Sequence, residues 1–233
     1  MTTEVGQAMK NLVAAVQPTF KEQGFKKRGH TFNRTTEPDG IVHVINFQMG
    51  AYNPPGSGEI PIPGLRPNLH GRFTVNLGAW LPGVAEIGFG TQPESARSFI
   101  NEYNCQLRVR IGQLLPEPAD TWWPLDTLSE QLAEIVTTAL TGYGFPWLAR
   151  FAHWDAIVAQ LETVPPVPTW FMSVPRLTAM TMRLARGQCA EAEQDFAEHL
   201  DAYRRNPRNP QSHLNVLARI AEANSFSLGE TSS

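Results

Sequence analysis

Cysteine is scarce in this chain: Cys105 and Cys189 are the only two in 233 residues, and they fall in stretches that read as different structural units. Neither a disulfide framework nor a thiolate metal site is indicated, and reduced thiols in a cytosolic setting fit best. A large excess of one charge is lacking too. With 18% charged residues and a formal net charge of −3, no global basic field gathers phosphate backbones, so nucleic acid is not an expected partner. No stretch approaches the roughly 20 apolar residues of a membrane span, and "MTTEVGQAMKNLVAAVQPTF" has no basic flank leading into an apolar run. The expectation is a cytoplasmic protein with no membrane contact, long enough to bury a substantial core without covalent staples.

Catalytic signatures are missing as well. His30, His43, His70, His153, His199 and His213 include no His-x-x-x-His pair, and no Cys-x-x-Cys accompanies them, so neither a metal nor a cofactor is expected. There is no Gly-x-Ser-x-Gly elbow, no phosphate-cradling loop ending in Gly-Lys-Ser/Thr and no dinucleotide fingerprint. Asp120 and Asp126 could share a proton across the tryptophans Trp122 and Trp123, but loop and helix-cap roles explain the two carboxylates with less. Of the two tryptophans, one is expected to be buried.

What the chain does have is periodicity. Val5, Met9, Leu12, Val13, Val16 and Phe20 recur at three and four, the stripe of a helix that ends at Gly24. Lys21, Lys26 and Lys27 then lie near the negative end of the helix dipole. In "HTFNRTTEPDGIVHVINFQMG" two alternating arms flank a Pro-Asp-Gly turn, a hairpin with Phe32 pointing inward. Ile41, His43, Ile45, Phe47 and Met49 share the core face of its long arm, with His43 as a hydrogen-bonded core histidine. "RFTVNLGAWL" and "QLRVRIGQLL" repeat the period-two pattern, with Phe73, Val75, Leu77 and Ala79 inward in the first and Leu107, Val109 and Ile111 inward in the second.

Between these strands "AYNPPGSGEIPIPGLRPNLHG" carries five prolines and precludes a regular element. A short helix is expected after Gln92. Leu128, Leu132, Ile135, Val136 and Leu140 mark another that ends at Gly142, capped by Asp126 or Thr127, and a further one covers Phe151 to Leu161. The proline run in "ETVPPVPTW" is the best candidate boundary. Beyond it two helices joined near Gly187 pack Ala190, Phe196 and Leu200 on Leu177, Met180 and Leu184, and "SHLNVLARIAEAN" adds a last helix. The expected fold class is α+β: an N-terminal helix, an antiparallel sheet of about four strands packed on helices over residues 1–163, an all-helical appendix over 164–226 and a frayed tail over 227–233.

The motifs "GFKKRGHTF", "INFQ", "FTVNLG", "RIGQL" and "DTWWPL", in this order, resemble an uncharacterised bacterial family, domain of unknown function 4304, over roughly residues 5–150. The proline-rich insertion after Gln48 departs from the compact family pattern. The resemblance implies an α+β fold and a bacterial source, and it carries over no catalytic or ligand residues.

Function must therefore be read from surface chemistry. The wetter sheet face collects Asn46, Gln48, Thr74, Asn76, Arg108 and Arg110, and two arginines two apart on a strand project together and suit a carboxylate-rich surface. Lys26, Lys27, Arg28 and Arg34 could engage phosphates or an acidic partner, or simply solvate a helix-to-strand junction. The favoured expectation is a bacterial intracellular protein-binding module, of immunity or adaptor type, using these residues. The alternative is an enzyme or small-ligand binder with its cleft between the sheet and the 51–70 loop, using Arg108, Arg110 and Asp120.

Overall fold

The computed structural model of the chain describes residues 4–50, 69–89, 99–126, 129–162, 175–205 and 211–227. Helix α1 (Glu4–Glu22) buries Met9, Leu12, Val13, Val16 and Phe20, as the spacing predicts. It ends in a Schellman motif. Gly24 stands at φ 81°, its N–H donates to the Lys21 carbonyl at 3.0 Å, and the Phe25 N–H donates to the Phe20 carbonyl at 2.9 Å. The apolar contact that accompanies this motif is the Phe20–Phe25 ring pair, 6.3 Å between centroids.

The chain then forms a tight hairpin, β1 (Lys26–Arg28) and β2 (Thr31–Thr35), turning at Gly29 with φ 60°. All three β1 residues are exposed, and β1 is an outer strand of the sheet. A short edge strand made of cations resists pairing with a foreign strand. The basic run thus forms an edge of the sheet, and Lys27 Nζ donates to Gln17 Oε1 of α1 at 3.0 Å.

Strands β3 (Val42–Met49), β4 (Arg72–Trp80), β5 (Leu107–Arg110) and β6 (Trp123–Pro124) complete a six-stranded antiparallel sheet in the order β1-β2-β3-β4-β5, with β6 also paired to β4. One face packs on α1, on α3 (Ser129–Ala139), on α4 (Phe145–Ala149) and on α5 (Trp154–Glu162) in a single apolar cluster. At its centre run the rings of Phe20, Phe32, Phe47, Phe73 and Trp123, each 4.7 to 6.3 Å from the next. Met49, expected on this face, sits at the strand end and is exposed.

The helices differ from the sequence reading at several points, one being that α5 begins at Trp154 rather than Phe151. Gly142 does not stop α3; Leu140–Gly144 form a π turn that leads into α4, where a Cβ on Gly144 would stand 2.6 Å from the Leu140 side chain. Ile135 falls outside the buried stripe and is 47% exposed. A short helix not expected from the sequence, α2, spans Val84–Phe89, while the helix expected after Gln92 and the Thr127 cap fall on residues 90–98 and 127–128, outside the described residues.

Helices α6 (Pro175–Ala185), α7 (Cys189–Arg204) and α8 (Gln211–Asn224) form a second cluster from Leu177, Met180, Leu184, Phe196, Leu200, Leu217 and Ile220. Ala192 takes the buried place expected of Ala190. Ala179 and Met182, on the other side of α6, belong to the main core.

Two polar locks hold the first hairpin to the helical layer. Asp39 in the Pro-Asp-Gly turn caps α5, its Oδ2 accepting the Trp154 N–H at 3.0 Å, while Thr36 Oγ1 donates to the Ala152 carbonyl at 2.9 Å. The second lock is His43, fully buried, with Nε2 3.0 Å from the Phe151 carbonyl and Nδ1 3.1 Å from Arg34 Nη2. Only the tautomer with the proton on Nε2 satisfies both contacts, since guanidinium nitrogens and carbonyl oxygens have one role each. Arg34 also donates to the Gln23 carbonyl at 3.1 Å, so one guanidinium joins the end of α1 to the histidine.

Burial pushes the His43 pKa down to about 4; the Phe151 bond opposes it with a smaller upward pull, and the Arg34 charge adds the smallest contribution, downward. The unfolded chain binds the proton near pH 6.5, so this histidine contributes stability above that value and loses it as pH falls toward 4. The full contribution is on the order of 3 kcal/mol. In urea melts between pH 7 and pH 4, His43→Gln is expected to flatten the acid loss of stability seen in the wild type; an unchanged slope would place the titration elsewhere.

Candidate functional site

The second face of the sheet is not evenly wet. Val42, Val44 and Trp80 are covered by Ile100 and Cys105 in a small apolar cluster. Asn33 pins that cover, accepting the Ile100 N–H at 2.7 Å and donating to its carbonyl at 3.0 Å. Gly78 leaves room for it: a Cβ there would stand 2.7 Å from Cys105 Cβ and Sγ. Strand β4 is consequently buried on both faces, with Thr74 at 0% and Asn76 at 5% exposure. Alternation alone marked those two positions as wet; in the structure they are interior.

A polar side chain taken from water needs a partner. The β-ladder supplies partners in a row, because residues in register on antiparallel neighbours share a face. Arg28 pairs with Thr31, Thr31 with Asn46, Asn46 with Asn76 and Asn76 with Arg110. This one line crosses five strands, about 19 Å at ordinary strand spacing. Asn46 Nδ2 donates to Thr31 Oγ1 at 2.9 Å, Asn76 Nδ2 donates to Gln48 Oε1 at 2.7 Å, and Arg110 Nε donates to Asn76 Oδ1 at 3.3 Å. A parallel row runs Lys26, Asn33, Val44, Gly78 and Arg108. The residues singled out from the sequence thus divide: Arg28, Asn46, Asn76 and Arg110 form the first row with Gln48 beside it, Thr74 lies in register with Gln48, Lys26 and Arg108 end the second, Lys27 points to α1, and Arg34 is taken up by His43 and the Gln23 carbonyl.

The two arginines do not offer bare charge. Arg108 Nε lies 2.6 Å from Glu102 Oε1. Arg110 Nη1 lies 2.5 Å from Asp120 Oδ1, and its guanidinium stands 5.1 Å from the Trp122 ring centroid. Asp120 is therefore a partner of Arg110, while Asp126 is exposed, and the two carboxylates do not act as a pair. Trp122 and Trp123 diverge as adjacent residues do, one beneath Arg110 and one against Phe73, but both are half-buried. At the opposite edge, burial, then Lys27 and Lys10, lower the His30 pKa, the sign of a positive corner between α1 and β1.

Thr31 shares the alternation that marked Phe32 and was legible on that ground. Glu102 was not, since it lies in an irregular segment with no period. Residues 51–68 lie outside the described residues, and with them the cleft expected beside the 51–70 loop. Among the described residues no group of three or more His, Cys, Asp or Glu could hold a metal ion, and no helix is long and apolar enough to cross a membrane.

A family model described as Domain of unknown function (DUF4304) matches residues 16–59 and 67–150, just over half of the chain, and the chain belongs to that family. The match covers all six strands and both rows. Its gap falls within the proline-rich stretch, and α5 to α8 lie beyond it. No curated protein and no solved structure matches the chain.

Double burial of β4 sets an expectation for adjacent residues. Val75→Asp puts an unpaired carboxylate in the main core, at a cost of several kcal/mol, and should leave little folded protein. Asn76→Asp keeps the bond from Arg110 but loses the donor to Gln48, and should cost about 1–3 kcal/mol. Circular dichroism melts test the ranking: an Asn76→Asp variant with wild-type Tm would show that the second face is wet after all.

Proposed function

We propose that this DUF4304 member is a non-catalytic protein-binding module of a bacterial cytoplasm, of immunity or adaptor type, that docks another protein on the second face of its sheet. The row Arg28–Thr31–Asn46–Asn76–Arg110 is the observation that supports this reading. It places hydrogen-bonding groups in a line with a guanidinium at either end, a pattern suited to recognising a polar surface, and it brings together no nucleophile and base. The group held farthest from its usual pKa among the described residues, His43, is sealed on the opposite face as a lock. In this reading residues 1–163 carry the binding face and the helices of 164–226 buttress it.

Exposed positions make the sharper test, because reversing Arg108 or Arg110 would also break their bonds to Glu102 and Asp120. Arg28 and Gln48 are exposed. The double variant Arg28→Glu/Gln48→Glu is expected to keep the wild-type Tm while weakening a partner captured from the native host and then purified by tenfold or more, since unfavourable charge at a complementary interface costs several kcal/mol. The control Arg204→Glu, in α7, should bind as wild type. Loss in the α7 variant with retention in the sheet variant would move the interface to the C-terminal helices. A wild type that captures nothing and turns over a small substrate would replace the proposal with the enzyme alternative.

A further inference from the structure

Charge at the two edges of the sheet is handled in opposite ways. On β5, Arg108 is held by Glu102 and Arg110 by Asp120. On β1, Lys26, Lys27 and Arg28 are all exposed, and no carboxylate among the described residues pairs with any of the three. Lys27 Nζ meets the neutral Gln17 Oε1 instead, at 3.0 Å. The half-buried His30 in the adjoining turn registers the result: after burial, Lys27 and then Lys10 of α1 lower its pKa, and no carboxylate opposes them. Three unneutralised cations side by side, in a chain of net charge −3, repel one another and give the fold no compensating ion pair. Their charge is directed outward.

Strand geometry decides what meets that charge. Alternation sends Lys26 and Arg28 to the second face, in register with Asn33 and Thr31, and Lys27 to the helix side, in register with Phe32. Three donors divided between the two sides of an edge do not converge on one small ion. A nucleic-acid duplex is poorly matched too, since DNA-binding surfaces commonly make roughly 6–10 phosphate contacts, and anionic lipid surfaces are met by clusters of about 4–8 cations. A protein segment with several carboxylates, laid along the edge, reaches all three. On the second face it would continue past Arg28 to Thr31 and Asn46 of the polar row. The charges that turn away a neutral or basic segment select an acidic one.

We propose that β1 is an acid-selective docking edge: the protein seated on the second face carries an acidic segment whose carboxylates pair with Lys26 and Arg28 on that face and with Lys27 on the helix side. This rests on the protein-docking reading and adds the chemistry of the partner at one border. A short acidic peptide separates the two, since it reports on the edge whether or not a partner is in hand.

The test uses the full chain labelled with nitrogen-15 and a hexaglutamate peptide, compared with an uncharged Ser-Gly peptide of the same length, a short DNA duplex and phosphatidylserine vesicles. Hexaglutamate is expected to shift the amides of residues 26–30 saturably, to raise the His30 pKa by setting negative charge beside Lys27, and to weaken as salt is added. The uncharged peptide should do none of these. The exposed triple variant Lys26→Gln/Lys27→Gln/Arg28→Gln should keep the wild-type Tm and lose hexaglutamate affinity at least tenfold, while Arg204→Gln in α7 should bind as wild type. The assignment is overturned if hexaglutamate leaves this edge unmoved or the triple variant binds it as tightly as wild type. Tighter binding of the duplex or the vesicles at equal charge concentration would hand the edge to a phosphate-bearing partner, and a wild-type dimer lost in the triple variant would hand it to a second copy of the chain. Any of these results, with partner capture still lost in Gln48→Glu, removes the acidic segment and leaves the docking face standing; hexaglutamate held at β1 with capture indifferent to Gln48→Glu does the reverse.

Discussion

A strand with no solvent side must satisfy every polar group it carries from within the protein. Strand β4 is in that position: from Phe73 to Trp80 each residue is buried. Its odd positions meet the helices in one apolar cluster, and its even positions meet the small cluster around Ile100 and Cys105 or the polar row. A threonine and an asparagine at the centre of such a strand are costly unless paired. The pairing of Asn76 with Gln48 and Arg110, and through Arg110 with Asp120, follows from that constraint.

The remaining contacts keep this arrangement in register. The Schellman turn at Gly24 fixes where α1 hands over to the first hairpin, Arg34 ties the helix end to His43, and His43 with Asp39 anchors the hairpin to the helical layer. A one-residue slip of β3 would exchange His43 and Phe47 for Val44 and Gln48 across the sheet. It would break both locks and scatter the row together. The side chains that position the candidate face thus lie on the core side of the sheet, where strand pairing specifies the opposite side.

Much of the fold was legible because its signals are local. The α1 stripe, the glycine that ends it, the Pro-Asp-Gly hairpin and the alternation of β3 and β4 each need only a few neighbouring residues to be read. The cover on the second face was not legible: alternation shows that two faces differ, and cannot show that Ile100 and Cys105 return from far along the chain to bury one of them. The π turn at Gly142 escaped for a related reason, since a glycine that ends one helix continues another where packing against the sheet holds it. The binding residues were named as types on a face. Only strand register, which depends on long-range pairing, could show that Arg28 and Arg110 lie on one line, and only geometry could show that Arg108 and Arg110 are already engaged by Glu102 and Asp120.

Placing a photoreactive benzoylphenylalanine at position 48, beside the polar row, and in a second protein at position 135, on the exposed side of α3, asks directly whether the second face of the sheet is where another protein sits. Irradiated in the native host, the protein with the probe at position 48 should give one discrete crosslinked adduct and the protein with the probe at position 135 none. Adducts from position 135 with none from position 48, or no adduct from either, would contradict a docking role for this face.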